Sequence, residues 1–462
     1  MNAILTTIDD VVWGIPLIAL ILAVGVYFTL RLKGVQLRKL LLAVKQTFAQ
    51  KRETTDGEVS SFGALCVALA ATIGTGNIVG VATAIVAGGP GALFWMWVAA
   101  FFGAATNYAE CLLAMKYRKV AKDGHVVGGP FFYIENGMGK NFRWLGKMFA
   151  FFGAGAGLFG IGTITQMNSI ADAVKDFFDP KNQHTVLLFG REYSLSVIFT
   201  ALILTICIAF VLIGGVKRIS SVAQVIVPIM AFLYCGAVLI VLFTYRKQIP
   251  AAFCEIIESA FGLRAVSGGA LGAMMLAMQK GVARGVFTNE AGLGSAPIAA
   301  AVVKTKEPVE QGLVSMLGPV IDTLVMCTLT GLAIILTGTW NIGLDGVEVT
   351  AKAFQRGLPF PEEWVSFFLM MSLVFFAFSS ILGWNYYSEK CMEYLVGERS
   401  CLLKGFRFLY ILAVCIGPFL TVSAVWMVAD IFNGLMAFPN LIALIALRDV
   451  VVTETKMYFS KR

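Results

Sequence analysis

Apolar residues along this chain come in continuous runs of about twenty, not in the period-two alternation of lipid-facing strands, and each run is long enough for a helix to cross a bilayer. The runs fall at about 11–31, 62–86, 91–115, 147–173, 193–214, 219–244, 270–303, 312–338, 364–395, 406–423 and 424–447. This pattern predicts one leading helix followed by ten more. The polar connections test the count, because Lys and Arg gather in the cytoplasmic loops of a membrane protein. Residues 31–61 hold Arg31, Lys33, Arg38, Lys39, Lys45, Lys51 and Arg52, and 116–147 hold Lys116, Arg118, Lys119, Lys122, Lys140, Arg143 and Lys147. Lys217, Arg218, Lys304 and Lys306 continue the series, whereas 174–192, 245–268 and 339–363 are close to charge-balanced. Eleven spans satisfy this alternation, with the N-terminus outside and the tail, carrying Lys456, Lys461 and Arg462, in the cytoplasm.

Composition agrees. Of 462 residues, 58% are hydrophobic and 14% charged, a balance outside the range of soluble domains and one that excludes a cytosolic enzyme. The class is all-α and polytopic. The formal charge of +8 reads as positive-inside loop bias and not as a nucleic-acid footprint. Nine Cys are scattered with no C-x-x-C pair, and the only two His, His125 and His184, lie in polar connections, so neither a disulfide framework nor a histidine-ligated metal centre is indicated. Asp9 and Asp10 ahead of the first apolar run suit a retained span better than a cleaved signal.

After residues 1–61, a leading span with a basic connection, the chain divides into five spans over 62–244, an outer connection at 245–268, five spans over 269–447 and a tail at 448–462. An odd number of spans per half means that the second half enters the membrane from the opposite side, the arithmetic of an inverted repeat. The first helix of each half carries a small, polar, Gly-rich stretch at mid-depth: Ala71-Thr72-Ile73-Gly74-Thr75-Gly76-Asn77 in one, and Phe287-Thr288-Asn289-Glu290-Ala291-Gly292-Leu293-Gly294-Ser295 in the other. A helix broken inside a bilayer survives only where its freed backbone lines a cavity or meets a ligand. Freed N–H groups favour a carboxylate and freed C=O groups a small cation or an ammonium, a combination that suits a zwitterion. Taken singly, these glycines could simply allow close helix packing; two clusters at matching positions favour a binding site. Gly74-x-Gly76 is not a dinucleotide fingerprint, since the third glycine, Gly80, comes one position late and no strand precedes it. The run Gly153-Ala-Gly155-Ala-Gly157 reads as a packing face.

Several stretches together resemble one family. Gly74-Thr75-Gly76-Asn77-Ile78-Val79-Gly80, Gly128-Gly129-Pro130-Phe131-Phe132-Tyr133, the run from Arg284 to Pro297 and Ser380-Ile381-Leu382-Gly383-Trp384 are similar to the alanine or glycine:cation symporters, the sodium:alanine symporters. The resemblance implies a LeuT-type 5+5 inverted repeat with one additional N-terminal transmembrane helix. It implies that Thr75, Gly76 and Asn77 meet a substrate carboxylate and that Gln166 is a polar substrate contact. It implies further that Phe287 closes the pocket beside carbonyls that take the ammonium, that Ser380 bonds substrate, and that Trp384 limits its side chain to hydrogen or methyl. A Na⁺ site would use carbonyls near Ala70 and Ile73 with the hydroxyls of Ser379 and Ser380, hard oxygen ligands that suit the ion. Where the family often has Thr, Ser380 keeps the hydroxyl and loses a methyl. A second cation site near Thr72, Asn77 and Thr288 is implied by analogy with the fold.

Charged residues inside the membrane need partners or water. Glu110 reads as a snorkelling or interfacially paired group. Glu290 and Asp322 read either as gate or ion-pathway residues or as structurally paired carboxylates. Lys280 and Arg284, one turn apart, point toward an outer vestibule, as an outer gate if either meets an acid, and Asp430 awaits a partner. The expected protein is thus a secondary active transporter of a bacterial inner membrane, moving a small neutral amino acid, alanine or glycine, with Na⁺ by alternating access. It has membrane lipid around it, no obligate protein partner and no cofactor beyond the coupling ion. The rival within the same fold couples to H⁺ through Glu290 or Asp322.

Overall fold

The computed structural model describes residues 2–48, 57–120, 125–188, 191–262, 269–397, 401–420 and 422–461. Lys51, Arg52, Lys122, Arg462 and the last six residues of the 245–268 connection lie outside the described residues. The chain is a helical bundle with two short antiparallel hairpins, Lys119–Val120 with Val126–Val127 and Thr185–Leu188 with Arg191–Ser194.

Nine helices among the described residues are long and apolar enough to cross a membrane, or ten when Ser61–Thr72 and Thr75–Gly88, bent by 62°, count as one. Of the eleven expected runs, the remaining one is 270–303. It forms a helix, Ala270–Asn289, and a short continuation, Ala296–Ala300, but Gln279, Lys280 and Arg284 dilute its apolar run. The most apolar helices, Leu195–Leu212 and Gly215–Thr244, have only 22% and 28% of their apolar stretch buried, against 83% for that of Gly91–Lys116. Polarity therefore increases inward, as expected where lipid is the solvent.

Contacts gather the connections at two poles. At one, Lys116 pairs with Glu454, Arg118 donates to the carbonyls of Ala301, Val303 and Thr305 at 3.1, 2.7 and 3.0 Å, and Val59 bridges to Val303. At the other, the Gly91 N–H donates to Ser259 Oγ at 3.0 Å and Tyr245 reaches the Arg356 carbonyl at 3.4 Å. The basic connections 31–61, 116–147 and 304–306 thus share one pole with the tail, and the charge-balanced 245–268 and 339–363 lie together at another. Also among the charge-balanced connections, Asp179 anchors the second hairpin. It accepts the Ser194 hydroxyl at 2.6 Å and the Gln183 and His184 amides at 2.7 and 3.3 Å, and the Ser194 bond leads in holding its carboxyl below the usual carboxylate value.

Small residues set the helix spacing. A Cβ on Gly155 would lie 2.4 Å from Phe432 and one on Gly157 2.4 Å from Ser388, so Gly153–Gly157 is the packing face that its spacing predicts. The same device holds the long helix Glu362–Val396 against the first broken helix, where a Cβ on Gly383 would meet the Ala71 amide at 2.7 Å.

Candidate functional site

The first break begins where Gly74 abandons the helix. In a continuous helix its N–H would close on the Ala70 carbonyl; here it donates to Asn77 Oδ1 at 2.9 Å, which leaves the Ala70 carbonyl without that partner. Thr75–Asn77 form a single 3₁₀ turn before the helix resumes at Val79. Three buried polar atoms converge on this break without a hydrogen-bond partner: Thr75 Oγ1, Ser380 Oγ and Gln166 Oε1. Ser380 and Gln166 come from two other helices, and a Cβ on Gly74 would lie 2.3 Å from Ser380 Oγ and 3.7 Å from Gln166 Nε2. Buried polar groups are nearly always satisfied, so a convergent unsatisfied set is the signature of a ligand site.

The second break runs from Glu290 to Ser295. Glu290 sits at φ 56°, with Gly292 and Gly294 at 90° and 83°. The glycines carry that conformation freely, whereas a non-glycine residue there costs about 1–3 kcal/mol and persists only when its neighbours hold it. Glu290 is held by Ser295 and by the Trp384 indole N–H, which donates to its carboxylate at 2.9 Å. The sequence placed this break from Phe287, but Phe287, Thr288 and Asn289 still belong to the helix.

One carboxylate joins the two breaks. Asn77 Nδ2 donates to Asp322 Oδ1 at 2.7 Å, and Thr323 Oγ1 donates to Asp322 Oδ2 at 2.8 Å. Thr323 in turn accepts from Asn289 Nδ2 at 3.1 Å, and Asn289 Oδ1 accepts the Ala291 N–H at 3.0 Å. Each break is therefore capped by an asparagine whose amide nitrogen leads to the Asp322–Thr323 pair. That pair lies in a π-helical stretch, Val320–Cys327, a widening that recurs at functional sites. The first break also packs directly on the helix that leads into the second, since a Cβ on Gly76 would lie 2.8 Å from Thr288 Cγ2.

The expected residues thus fall into distinct sets. Thr75, Gln166 and Ser380 meet at the first break. Gly76 and Phe287 line a cavity of about 320 Å³ whose wall includes Gly346, at the low end of the ~300–1,000 Å³ range of ligand sites. Arg284, Asp172 and Asp345 give its wall both signs of charge. Asn77, Thr288 and Asp322 form the link between breaks, and Trp384 grips Glu290. Ser379 bonds back to the Phe376 carbonyl at 2.9 Å, whereas neighbouring Ser380 does not. Ile73 is fully buried, its N–H on Leu69 O at 2.7 Å. Thr72 bonds back to Leu69 O at 3.5 Å, while Thr288 donates to Gly285 O at 3.0 Å; no hydrogen bond joins Thr72 to the Asn77–Thr288 group among the described residues. Lys280 and Arg284 line a smaller cavity of about 150 Å³ with Asp9 and Asp10, and Arg284 pairs with Asp430 at 3.6 Å while stacking over Phe287 at 5.2 Å.

Glu110 is not the snorkelling group expected. It is fully buried, takes a hydrogen bond from Asn440, and faces the Gly292 and Gly294 amides of the second break. Asn440 also donates to Gly292 O at 2.8 Å and accepts from Tyr133. Asn440 and Thr323 were not singled out from sequence; Tyr133 and Asn289 stood only within longer quoted stretches, although Asn289 stands at the second break as Asn77 stands at the first.

A model of the sodium:alanine symporter family matches residues 1–462. The chain is similar to an uncharacterised transporter of Haemophilus influenzae, at 50% identity over 100% of this chain and 97% of that one. It is similar to the sodium/alanine symporter AgcS of Methanococcus maripaludis, at 44% identity over 99% and 97%. Among solved structures, MhsT in complex with L-phenylalanine aligns with a TM-score of 0.57 at 14% identity, covering 88% of this chain and 99% of that one, a likeness of fold.

Proposed function

This chain belongs to the sodium:alanine symporter family, membrane transporters and not enzymes, and we propose that it carries alanine or glycine together with Na⁺ by alternating access. The observation that supports the reading is the convergence of Thr75, Gln166 and Ser380, buried and unpartnered, on the break at Gly74. In this reading Thr75 and Gly76 receive the substrate carboxylate, Gln166 is a polar substrate contact whose Oε1 is free to accept, and Ser380 bonds the substrate. Carbonyls beside Phe287 take the ammonium, and Trp384 bounds the pocket while holding Glu290. Na⁺ sits between the freed Ala70 and Ile73 carbonyls and the Ser380 hydroxyl, with Ser379 beside it. Because Ser380 serves both ligands, each strengthens the other. A second cation would sit with Asn77, Thr288 and Asp322, without Thr72.

The topology proposed is eleven spans, with 62–244 and 269–447 as inverted repeats, in a bacterial inner membrane. The basic pole and the C-terminus then lie in the cytoplasm and the N-terminus outside. The cavity walled by Gly346 opens outward, Arg284 with Asp430 forming part of its outer gate.

Uptake of labelled alanine and glycine into proteoliposomes, under an inward Na⁺ gradient against equal K⁺ at fixed pH, tests this. Concentrative uptake with Na⁺ alone is expected. Uptake indifferent to Na⁺ and driven by a pH gradient would discard the Na⁺ site and move coupling to Glu290 or Asp322, both buried in or between the breaks.

A further inference from the structure

At the basic pole a groove of about 430 Å³ separates the end of the leading helix from the C-terminal helix Arg448–Ser460. Five cations line it, Arg31, Lys33, Arg38, Lys39 and Lys456, and no carboxylate does among the described residues. Among the described residues Asp449 meets Arg31 only at 4.0 Å, with both side chains more than half exposed, a weak pair. Five like charges around one groove repel one another until an anion enters.

Between the cations the lining is apolar, with Leu32, Val35, Val452 and Phe459 along its floor. Lys39 Nζ lies 4.4 Å over the Phe459 ring, which fixes one cation at the floor's edge. Next to the groove, the helix Leu40–Thr47 leaves Leu41 85% exposed, and Phe48 beyond it is 69% exposed, an apolar face that belongs against lipid tails. A free phosphate or an acidic peptide would use the cations and leave the floor bare.

We propose that this groove binds an anionic phospholipid, its phosphate among Lys33, Arg38, Lys39 and Lys456 and an acyl chain on the Val35–Val452–Phe459 floor. Basic pockets between helix ends are suited to such headgroups. The site lies apart from the transport cavity and does not depend on which ion drives transport.

Native mass spectrometry of the purified, delipidated protein, titrated with phosphatidylglycerol, phosphatidylcholine or inorganic phosphate, tests it. Wild-type protein should retain phosphatidylglycerol in preference to phosphatidylcholine, and millimolar phosphate should not displace it. K33Q/R38Q/K456Q should weaken retention about a hundredfold, at roughly fivefold per charge, while K33R/R38K/K456R keeps it. Should the triple neutral variant misfold, K456Q alone should cost about fivefold and V452E, in the floor, should abolish retention. Equal retention of both lipids, or retention unchanged in K456Q and V452E, overturns the proposal; displacement by phosphate makes the groove a free-anion site and overturns it as well.

Discussion

Ser380 is fully buried and its hydroxyl has no partner, while Ser379 one position earlier is satisfied by its own helix. The difference is one of facing: Ser380 looks onto the broken backbone at Gly74. Gly74 sits at φ −140°, which alanine adopts without strain, so G74A acts through space alone, against Ser380 Oγ at 2.3 Å. G74A should therefore destabilise the protein and abolish alanine uptake. Adding S380A leaves the Cβ-to-Cβ approach at 3.4 Å, and G74A/S380A should recover the melting temperature without recovering uptake. S380A alone should weaken alanine binding about three- to tenfold, the worth of a neutral hydrogen bond. At this scale Thr75 and Ser380, read from motifs, and Gln166, implied by the family resemblance, lie together at one break. Sequence reading fails for Glu110, whose partner Asn440 lies 330 positions away, because one polar residue in an apolar run does not say what it faces.

The two breaks were legible as elements, since clusters of glycine and polar residues recur at mid-span in matching positions of the two halves. Their edges were not. Thr288 and Asn289 look like break residues by composition but stay helical, and the positive φ values begin at Glu290. Nor does the sequence reveal that Asn77 and Asn289 converge on Asp322 and Thr323, a link that depends on the π-helical turn. N77A removes the Gly74 cap and one partner of a buried carboxylate, and should cost about 2–4 kcal/mol. N289A should cost less, as it uncaps Ala291 but leaves both Asp322 oxygens bonded. Because both reach the same pair, N77A/N289A should depart from additivity by about 0.5–3 kcal/mol. Melting temperatures of the four proteins give the cycle, and strict additivity would mean that the breaks are mechanically independent.

For the whole molecule, loop charge predicted which connections share a pole, and the contacts among Lys116, Glu454, Arg118 and Val303 agree. The second broken helix was legible as the run 270–303 but is less apolar than the others, because Gln279, Lys280 and Arg284 stand within it. Opposite poles are fastened differently. Arg118 ties the basic pole through three carbonyls, and Arg284 with Asp430 fastens the other. R118Q should shift the protein toward opening at the basic pole and R284Q toward opening at the other. Maleimide labelling of T83C, which lines both the 320 Å³ and the 150 Å³ cavity, should slow in the first and quicken in the second; shifts in the same direction would contradict two opposed latches. If the broken helices hold amino acid and cation in one coupled site, calorimetric titration reads that coupling in both directions. Alanine should bind at least about tenfold more tightly in Na⁺ than in equal K⁺, and alanine should raise Na⁺ affinity by the same factor. Equal alanine affinity in the two salts would contradict the account.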